Sequence, residues 1–206
     1  STGLKVQSAK DNAAYYSIAQ TMRGDSAAFN ALSENLAIAG ASVSVARQGT
    51  EELGKITKQI LEKVSLAQAN DSVDLDLIQK DIDDLVSQFD STIAQTSYNG
   101  QSMIDGTDTV TVVTGISRDG GFATTNFTFT KFDADAVSTA LKLIDVAGAA
   151  DAAALDGIMT AVEGEMAKIT EAEANFGMVE KRIDNHKAFN SKLVDKFDQG
   201  VGALVD

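Results

Sequence analysis

A stripe of mostly apolar residues runs through the first third of the chain. From Ile18 the positions of this stripe, most of them apolar, recur in steps of three and four as far as Val64, with one small shift of phase after Leu53. This spacing is typical of an α-helix that presents one narrow apolar seam to a partner helix. Because the chain contains no proline, nothing forces such a helix to stop, and we expect it to extend over Ala13–Ala69.

Four glycines lie inside this predicted helix: Gly24, Gly40, Gly49 and Gly54. Each glycine weakens a helix by roughly 1 kcal/mol relative to alanine. Since glycine has no side chain, it also lets two backbones approach closely. We therefore expect close packing at these positions to compensate for the loss.

A second helix and a hairpin are predicted downstream. Apolar residues at helical spacing predict a helix over Asp74–Thr96, and the polar run Asn70–Ser72 before it is a stop-and-restart signal. Threonine then alternates with apolar residues over Thr109–Val113 and Thr125–Thr130, as in half-buried strands. The run Arg118–Gly121 between them predicts a hairpin turn. Because a two-stranded hairpin is marginally stable alone, we expect it to lie against the helices.

The last part of the chain returns to the helical pattern. A short helix is predicted over Asp133–Ala147, an alanine-rich connection over Gly148–Ala154, and a second long helix over Leu155–Leu204. His186 falls on the predicted inner seam of that long helix, between the predicted seam residues Ile183 and Phe189. A lone histidine there is more typical of a packed or register-setting polar residue than of a catalyst.

The fold class that follows is mainly α: an elongated antiparallel bundle of long coiled-coil-like helices with a small β-hairpin region. Along the chain, residues 1–105 form the N-terminal helical part of this bundle and residues 106–133 the hairpin region. Residues 134–206 supply the short helix and the C-terminal long helix of the same bundle. Without cysteine, no disulfide framework can hold it together.

Composition excludes several classes of function. There are 17 Lys and Arg residues against 30 Asp and Glu, a formal net charge of −13, and this balance disfavours binding to nucleic acid or to anionic membranes. No run approaches the roughly 18 consecutive apolar residues of a membrane span, and the first residues lack the pattern of a signal peptide. With no cysteine and a single histidine, the chain has no thiolate nucleophile and no histidine-rich metal site.

The one dense group of candidate ligands is acidic. It consists of the aspartates between positions 71 and 90, namely Asp71, Asp74, Asp76, Asp81, Asp83, Asp84 and Asp90. A calcium-binding loop would also need a glycine for its sharp turn, and none lies in this stretch. The helical spacing of the apolar residues between the aspartates favours a solvated helix face. We therefore expect no catalytic, cofactor-binding or metal-binding residues, and no enzyme activity.

Short motifs near both ends of the chain resemble those of bacterial flagellins. Residues 8–14 read Ser-Ala-Lys-Asp-Asn-Ala-Ala, residues 98–100 read Tyr-Asn-Gly, and residues 176–182 read Phe-Gly-Met-Val-Glu-Lys-Arg. The likeness covers roughly residues 1–105 and 155–206 and is greatest for alphaproteobacterial members. The positions that carry it are Ser8, Ala9, Asp11, Asn12, Ala13, Ala14, Asn99, Gly100, Val179 and Arg182.

This resemblance implies a structural function. The chain would be a subunit of the flagellar filament, secreted by the bacterium and self-assembling outside the cell for motility, with no cofactor. The implied partners are other flagellin subunits, an export chaperone and the filament cap. In the family, further terminal helices drive polymerisation, and residues 1 and 206 fall inside those limits. The resemblance therefore implies that this trimmed form is monomeric.

Two alternatives share these motifs. A flagellin-like cell-surface protein would bind a polysaccharide, and a hook–filament junction protein would carry similar terminal motifs in few copies per cell. Abundance in the filament separates the first hypothesis from both alternatives, while direct binding of a sugar polymer would support the cell-surface protein.

The resemblance also implies a stretch that a vertebrate toll-like receptor recognises in related flagellins. There, an arginine-rich patch lies late in the first long helix, and the equivalent residues here are Leu61, Glu62, Lys63, Val64 and Leu66. Glu62 and Val64 stand where arginines would be expected. Because a charge of the wrong sign at a contact repels its partner, we expect weak or no recognition.

Overall fold

The computed structural model describes residues 8, 10, 12–69 and 73–205. Within these ranges the elements follow in the order α1 (Ala13–Ala69), α2 (Leu75–Gln95), β1 (Thr109–Ser117), β2 (Ala123–Thr130), α3 (Ala134–Leu141) and α4 (Ala152–Val205). The predicted class, mainly α with long packed helices and a small hairpin, is confirmed. The stop signal Asn70–Ser72, which includes Asp71, lies outside the described residues.

Sequence and structure agree on most element boundaries. The predicted helix Ala13–Ala69 is α1 itself, and both predicted strands lie within β1 and β2. Between the strands, the amide of Gly121 donates to the carbonyl of Arg118 over 3.4 Å, which closes the predicted turn. Gly120 and Gly121 have φ values of 76° and 128°, in a backbone region that glycine enters without steric penalty.

Aspartate side chains fix where three of the helices begin. Asp74, Asp133 and Asp151 each accept a hydrogen bond from the backbone N–H three residues further on, at 3.1, 2.9 and 2.9 Å. A side-chain acceptor at this position satisfies an N–H group that has no partner inside the helix. The cap at Asp151 explains why α4 begins at Ala152, ahead of the predicted start at Leu155.

The predicted helix Asp133–Ala147 is wrong at its C-terminal end, because α3 stops at Leu141. A side chain of α2 holds the residues that follow. Gln79 donates from Nε2 to the carbonyl of Ile144 over 3.0 Å and accepts from the amide of Val146 over 2.8 Å. One side chain thus satisfies a backbone carbonyl and a backbone amide. These two groups therefore need no helical hydrogen-bond partners.

The described residues form two compact units, and each combines segments that are distant in sequence. The first contains the described residues of Ser1–Gly40, Thr111–Thr128 and Lys181–Asp206. The second contains those of Ala41–Val110 and Phe129–Glu180. Each unit therefore includes part of α1, part of α4 and part of the hairpin.

In the first unit, α1 and α4 pack antiparallel. The hydroxyl of Ser26 donates to the carboxylate of Asp198 over 2.9 Å, whereas Gly40 packs close to the side chain of Ile183. The residue number thus rises along one helix as it falls along the other. The hairpin lies against α4 in this unit, since Asn190 donates from Nδ2 to the carbonyl of Thr114 over 2.8 Å.

The second unit repeats the antiparallel arrangement of α1 and α4 and adds two shorter helices. Arg47 contacts Glu180 over 2.8 Å, and Gln68 donates to Asp156 over 2.6 Å. Helices α2 and α3 pack on each other. The shorter helices contribute buried apolar residues to this unit, namely Ile78, Ile82, Leu85, Val86, Phe89, Ala134, Val137 and Leu141.

On both long helices, buried residues recur every seven positions, the spacing of a coiled-coil seam. In the first unit these are Phe29, Leu36, Ile183 and Asn190. In the second they are Val43, Thr50, Thr57, Val64, Leu155, Val162, Ile169 and Phe176. The predicted seams are wrong at Ile18 and Phe189, which are 48% and 58% exposed. Thr57 was not predicted as a core residue, yet its hydroxyl can be buried because it donates to the carbonyl of Leu53 over 2.8 Å.

Candidate functional site

The motif at the start of α1 forms a helix cap. The side chain of Asn12 accepts a hydrogen bond from the amide of Tyr15 over 3.2 Å, and its carbonyl accepts from the amide of Tyr16 over 2.9 Å. Ala13 and Ala14 follow as exposed residues of the first turn. Asparagine is among the preferred residues at this position, so Asn12 defines where the helix begins.

The residues just before this cap belong to the same motif. Ser8 accepts from the amide of Lys10 over 3.3 Å through its hydroxyl oxygen. Ala9 and Asp11 lie outside the described residues, so their part of the motif stays a prediction.

Asn99 and Gly100 form the centre of a tight turn. Their φ values are 52° and 75°. The amide of Tyr98 donates to the carbonyl of Gln101 over 2.8 Å, and the amide of Gln101 donates back to the carbonyl of Tyr98 over 3.0 Å. Positive φ at both central residues identifies a type I′ turn, for which Asn-Gly is a preferred dipeptide. Backbone geometry therefore accounts for both motif residues.

The α4 motif supplies an ion pair to the second unit. Arg47 donates from Nε to Glu180 over 2.8 Å, and the two side chains are 32% and 28% exposed. The hydrogen bond to Glu180, reinforced by its negative charge, raises the pKa of Arg47 above its ordinary value. Charge-assisted hydrogen bonds of this kind are stronger than neutral ones. The pair therefore joins α1 to α4. Its α4 member, Glu180, directly follows the half-buried motif residue Val179.

In the first unit, the same motif holds the hairpin. The guanidinium carbon of Arg182 lies 4.1 Å from the ring centroid of Phe127 on β2, a cation–π distance. The ring of His186 is stacked on Phe127 as well, with centroids 6.0 Å apart and planes 17° apart. His186 is half-buried, and the partner of its ring is a residue of the hairpin.

Asn190 is the buried polar residue of the α4 seam. It is 1% exposed, lies seven residues after Ile183, and donates to the carbonyl of Thr114. A single polar residue on a coiled-coil seam can fix the register of its partners, a role that the sequence suggested for His186. The seven-residue spacing of Phe176, Ile183 and Asn190 could have identified Asn190 as a seam residue from the sequence. The neighbouring Phe189 was assigned to the seam instead because it is apolar.

Replacing Asn190 by alanine is expected to lower the free energy of unfolding by about 1–3 kcal/mol, because the buried carbonyl loses its side-chain donor. Thermal unfolding followed by circular dichroism measures this. As a matched control, Asn185→Ala on the exposed face of the same helix is expected to change stability by less than about 0.5 kcal/mol. Equal effects of the two substitutions would show that Asn190 has no special structural role.

The five residues equivalent to the receptor-binding stretch do not all lie on the surface. Glu62 is exposed, Leu66 is 46% exposed and Leu61 is partly buried. Lys63 lies beside a carboxylate of α2, Asp81, at 2.5 Å. Val64, however, is fully buried in the second unit and offers no surface to a receptor, so the equivalence of this stretch to a receptor-binding patch stays a prediction. The apolar stripe places Val64 on the seam, and that signal is the correct one.

Asp90, the last aspartate of the acidic stretch, has a shifted pKa. Burial raises its pKa, but hydrogen bonds from Lys142 and Ser138 and the charge of Lys142 lower it by more, so the net pKa lies below the ordinary value of 3.8. The lysine Nζ lies 2.7 Å from Asp90. A carboxylate held ionised in this way stabilises the fold at neutral pH.

The contribution of Asp90 should be lost in acid. Its folded-state pKa is depressed, so the stabilisation is present above the unfolded-state pKa and disappears as the pH falls through the folded-state pKa. We expect Asp90→Asn to lower Tm at neutral pH. The difference in Tm between this variant and the unmodified chain should vanish as the solution is acidified. Because the carboxylate is 41% exposed, we expect the effect to be below about 1 kcal/mol. Asp84→Asn, at an exposed position of the same helix, serves as the control. If the Tm of Asp90→Asn stays below that of the unmodified chain in strong acid, the ionised carboxylate is not the cause of the difference.

Two grooves among the described residues are large enough to consider as sites, one in each unit. One groove of about 450 Å³ in the second unit lies between the end of β2, α3 and α4, and its charged lining residues are Lys131, Asp133, Lys168 and Glu171. In the first unit, a cavity of about 340 Å³ lies between Phe29, the hairpin and α4. Nucleophilic catalysis usually relies on a hydroxyl hydrogen-bonded to a base, and no such bond joins the described lining residues of these two grooves.

Over the described ranges, no cluster of three or more histidine, aspartate or glutamate side chains could hold a metal ion. None of the helices over these ranges has a stretch long and apolar enough to cross a membrane.

Comparison with known proteins points in one direction. A family model described as the bacterial flagellin N-terminal helical region matches residues 1–109, more than half of the 206 residues. Flagellin of Brucella melitensis biotype 1 is 29% identical over 211 residues, covering 100% of this chain and 75% of the relative.

Two solved structures share the fold. The crystal structure of Bacillus cereus flagellin superposes with a TM-score of 0.62 at 20% identity, over 76% of this chain and 88% of the other. A Vibrio parahaemolyticus protein assigned as a flagellar hook-associated protein gives a TM-score of 0.63 at 14% identity, over 95% and 100%. At these identities the likeness concerns the fold alone.

Proposed function

Because the chain belongs to the bacterial flagellin family, we propose that it works as a structural subunit of the extracellular flagellar filament, joined to other copies by non-covalent contacts. Members of this family are exported and self-assemble into filaments of flagellin subunits. The observation that carries the proposal is the family match over residues 1–109.

Contacts between copies would be head-to-tail and lateral. Large apolar side chains remain on the surface of each unit: Tyr15, Ile18, Phe122 and Phe189 in the first, and Leu66, Leu77, Leu143 and Met178 in the second. Burial of apolar surface is the main driving force of association, and aromatic residues and methionine are enriched at interfaces. We infer that part of this surface becomes covered when copies assemble.

An export chaperone and the filament cap would be the further partners. A subunit that leaves the cell unfolded must fold outside it. With no proline and no cysteine, this chain has neither slow X-Pro isomerisation nor free thiols to interfere with that step.

The abundance of the chain in sheared filaments tests the proposal. Quantitative mass spectrometry of the sheared fraction should find the chain as a main component in the bacterium that carries this gene. A chain found in only a few copies per filament would instead favour the hook–filament junction protein. Retention on the cell body, together with direct binding of a sugar polymer, would favour the polysaccharide-binding alternative.

We also propose that the vertebrate toll-like receptor recognises this chain weakly or not at all. Glu62 is an exposed carboxylate on the equivalent stretch, and Val64 cannot reach a partner because it is buried. A receptor reporter assay with endotoxin-free protein should therefore give a signal near background, and Glu62→Arg should raise it by relieving the charge repulsion. Strong activation by the unmodified chain would contradict this.

A further inference from the structure

The Asn99–Gly100 turn has a chemical property that its structural role does not require. Both central residues are exposed. The two hydrogen bonds of the turn join Tyr98 and Gln101 to each other, and the amide N–H of Gly100 makes no hydrogen bond within the described residues. A Cβ built on Gly100 would meet no heavy atom within 4 Å other than those of its two chain neighbours, so no other part of the chain crowds this residue.

A free, unhindered amide next to an asparagine is the nucleophile for deamidation. The side-chain carbon Cγ of asparagine and the nitrogen of the next residue can close a five-membered ring. A side chain on the residue after the asparagine hinders the approach of its nitrogen to Cγ. A hydrogen bond donated by the N–H of that residue makes the nitrogen less reactive. Both obstacles are missing at Gly100.

The other described asparagines are protected by at least one of these obstacles. A residue with a side chain follows each of them in the sequence. Most also lie inside a helix, where the next amide belongs to the helical hydrogen-bond ladder. The helical ones are Asn30, Asn35, Asn175, Asn185 and Asn190. Asn126 precedes the buried Phe127 in β2, and Asn12 is held in the cap of α1.

We propose that Asn99 is a site of spontaneous deamidation and isomerisation in the folded protein. The nitrogen of Gly100 attacks Cγ of Asn99, the bond from Cγ to the amide nitrogen breaks, and ammonia leaves with the proton given up by Gly100. One water molecule then opens the ring. Cleavage of the bond between Cγ and the ring nitrogen gives aspartate, and cleavage on the main-chain carbonyl side gives isoaspartate. No other reactant is needed.

The two products affect the turn differently. Aspartate tolerates the left-handed backbone conformation nearly as well as asparagine, so the turn should survive with one more negative charge. Isoaspartate inserts the side-chain methylene into the main chain between Tyr98 and Gln101, and the two reciprocal hydrogen bonds can no longer both form. The turn is close to the end of α2, where the hydroxyl of Ser102 donates to the carbonyl of Thr96 over 3.1 Å. Isoaspartate should therefore loosen this part of the second unit.

Prolonged incubation of the folded chain, followed by peptide mapping with mass spectrometry, tests the proposal. We expect deamidation at Asn99 to exceed that at every other described asparagine by at least an order of magnitude. Its rate should rise from neutral to mildly alkaline pH, because the attacking nitrogen must lose its proton. Labelling by an isoaspartyl methyltransferase should identify the isoaspartate fraction.

Variants and a denatured sample complete the experiment. Asn99→Gln should abolish the modification, because glutamine would have to close a larger and slower-forming ring, while Asn99→Asp should keep the Tm of the unmodified chain. A urea-denatured sample reports the reactivity of the same sequence without the turn. Modification of Asn99 in the denatured sample alone would show that the folded turn protects it, and modification in neither sample would show that this sequence is not reactive. Either result would overturn the proposal.

Discussion

Replacing Phe176 by alanine is expected to lower the free energy of unfolding by about 3–5 kcal/mol, the range for removal of a buried aromatic ring. Phe176 is 2% exposed and occupies a seam position of α4 in the second unit. Its ring meets Phe129 edge-on, with centroids 6.4 Å apart and planes at 82°, a favourable aromatic geometry. The substitution removes this contact and leaves a cavity that the surrounding helices can fill only in part.

Met178→Ala provides the matched control for Phe176→Ala. Met178 is two residues further along the same helix and is 64% exposed, so its removal should change stability by less than about 0.5 kcal/mol. Urea unfolding of both variants, followed by circular dichroism, measures the difference. If Phe176→Ala unfolds at the same urea concentration as Met178→Ala, the packing described for the second unit is incorrect.

Gly49→Ala is the second substitution with a large expected effect. Gly49 of α1 faces Thr96, the residue that caps the C-terminal end of α2. An added Cβ would lie 2.9 Å from Thr96 Cβ and still closer to the two outer atoms of that side chain. Because Cβ moves only with the backbone, no rotamer of Thr96 relieves the clash, and α2 must shift. We expect a loss of about 1–3 kcal/mol, the usual range for overpacking.

Gly24→Ala, in contrast, should raise the free energy of unfolding. Gly24 also lies within α1, but a Cβ there would meet no heavy atom within 4 Å. Alanine at an open helical position stabilises by roughly 0.5–1 kcal/mol relative to glycine. Thermal unfolding of both variants distinguishes the sites, and in Gly49→Ala/Thr96→Ala part of the loss should be recovered. A stabilising Gly49→Ala would show that the two helices are not in close contact.

These glycines show why the expectation from sequence was only partly correct. The sequence predicts close packing at all four glycines of α1. The structure has a severe clash only at Gly49, ordinary contacts at Gly40 and Gly54, and open space at Gly24. The outcome depends on which helix faces each glycine, and that cannot be deduced from α1 alone.

Elements with local signals could be predicted well. Helix α1 follows from a continuous apolar period without proline, and the Asn99–Gly100 turn follows from a dipeptide suited to positive φ. The end of α3 could not be predicted, because the group that replaces its helical hydrogen bonds is the side chain of Gln79, which is distant in sequence. Long-range partners of this kind appear only when the packing of the elements is known.

The same distinction applies to the motif residues. The cap at Asn12 is local and could be deduced from residue type. The contacts of Arg47 with Glu180 and of Asn190 with Thr114 join distant segments, and they depend on the register of α4 against α1 and the hairpin. Val64 is different, because the apolar period already indicated that it is buried, whereas the resemblance to flagellins only gave its place within the receptor-binding stretch.

Electron microscopy of the bacterium that carries this gene, with every other flagellin gene deleted, tests the central claim most directly. If the chain is a structural subunit of the filament, these cells should carry filaments that contain it as their main protein, and further deletion of this gene should remove them. Cells that make and export the chain yet carry no filaments would contradict the claim.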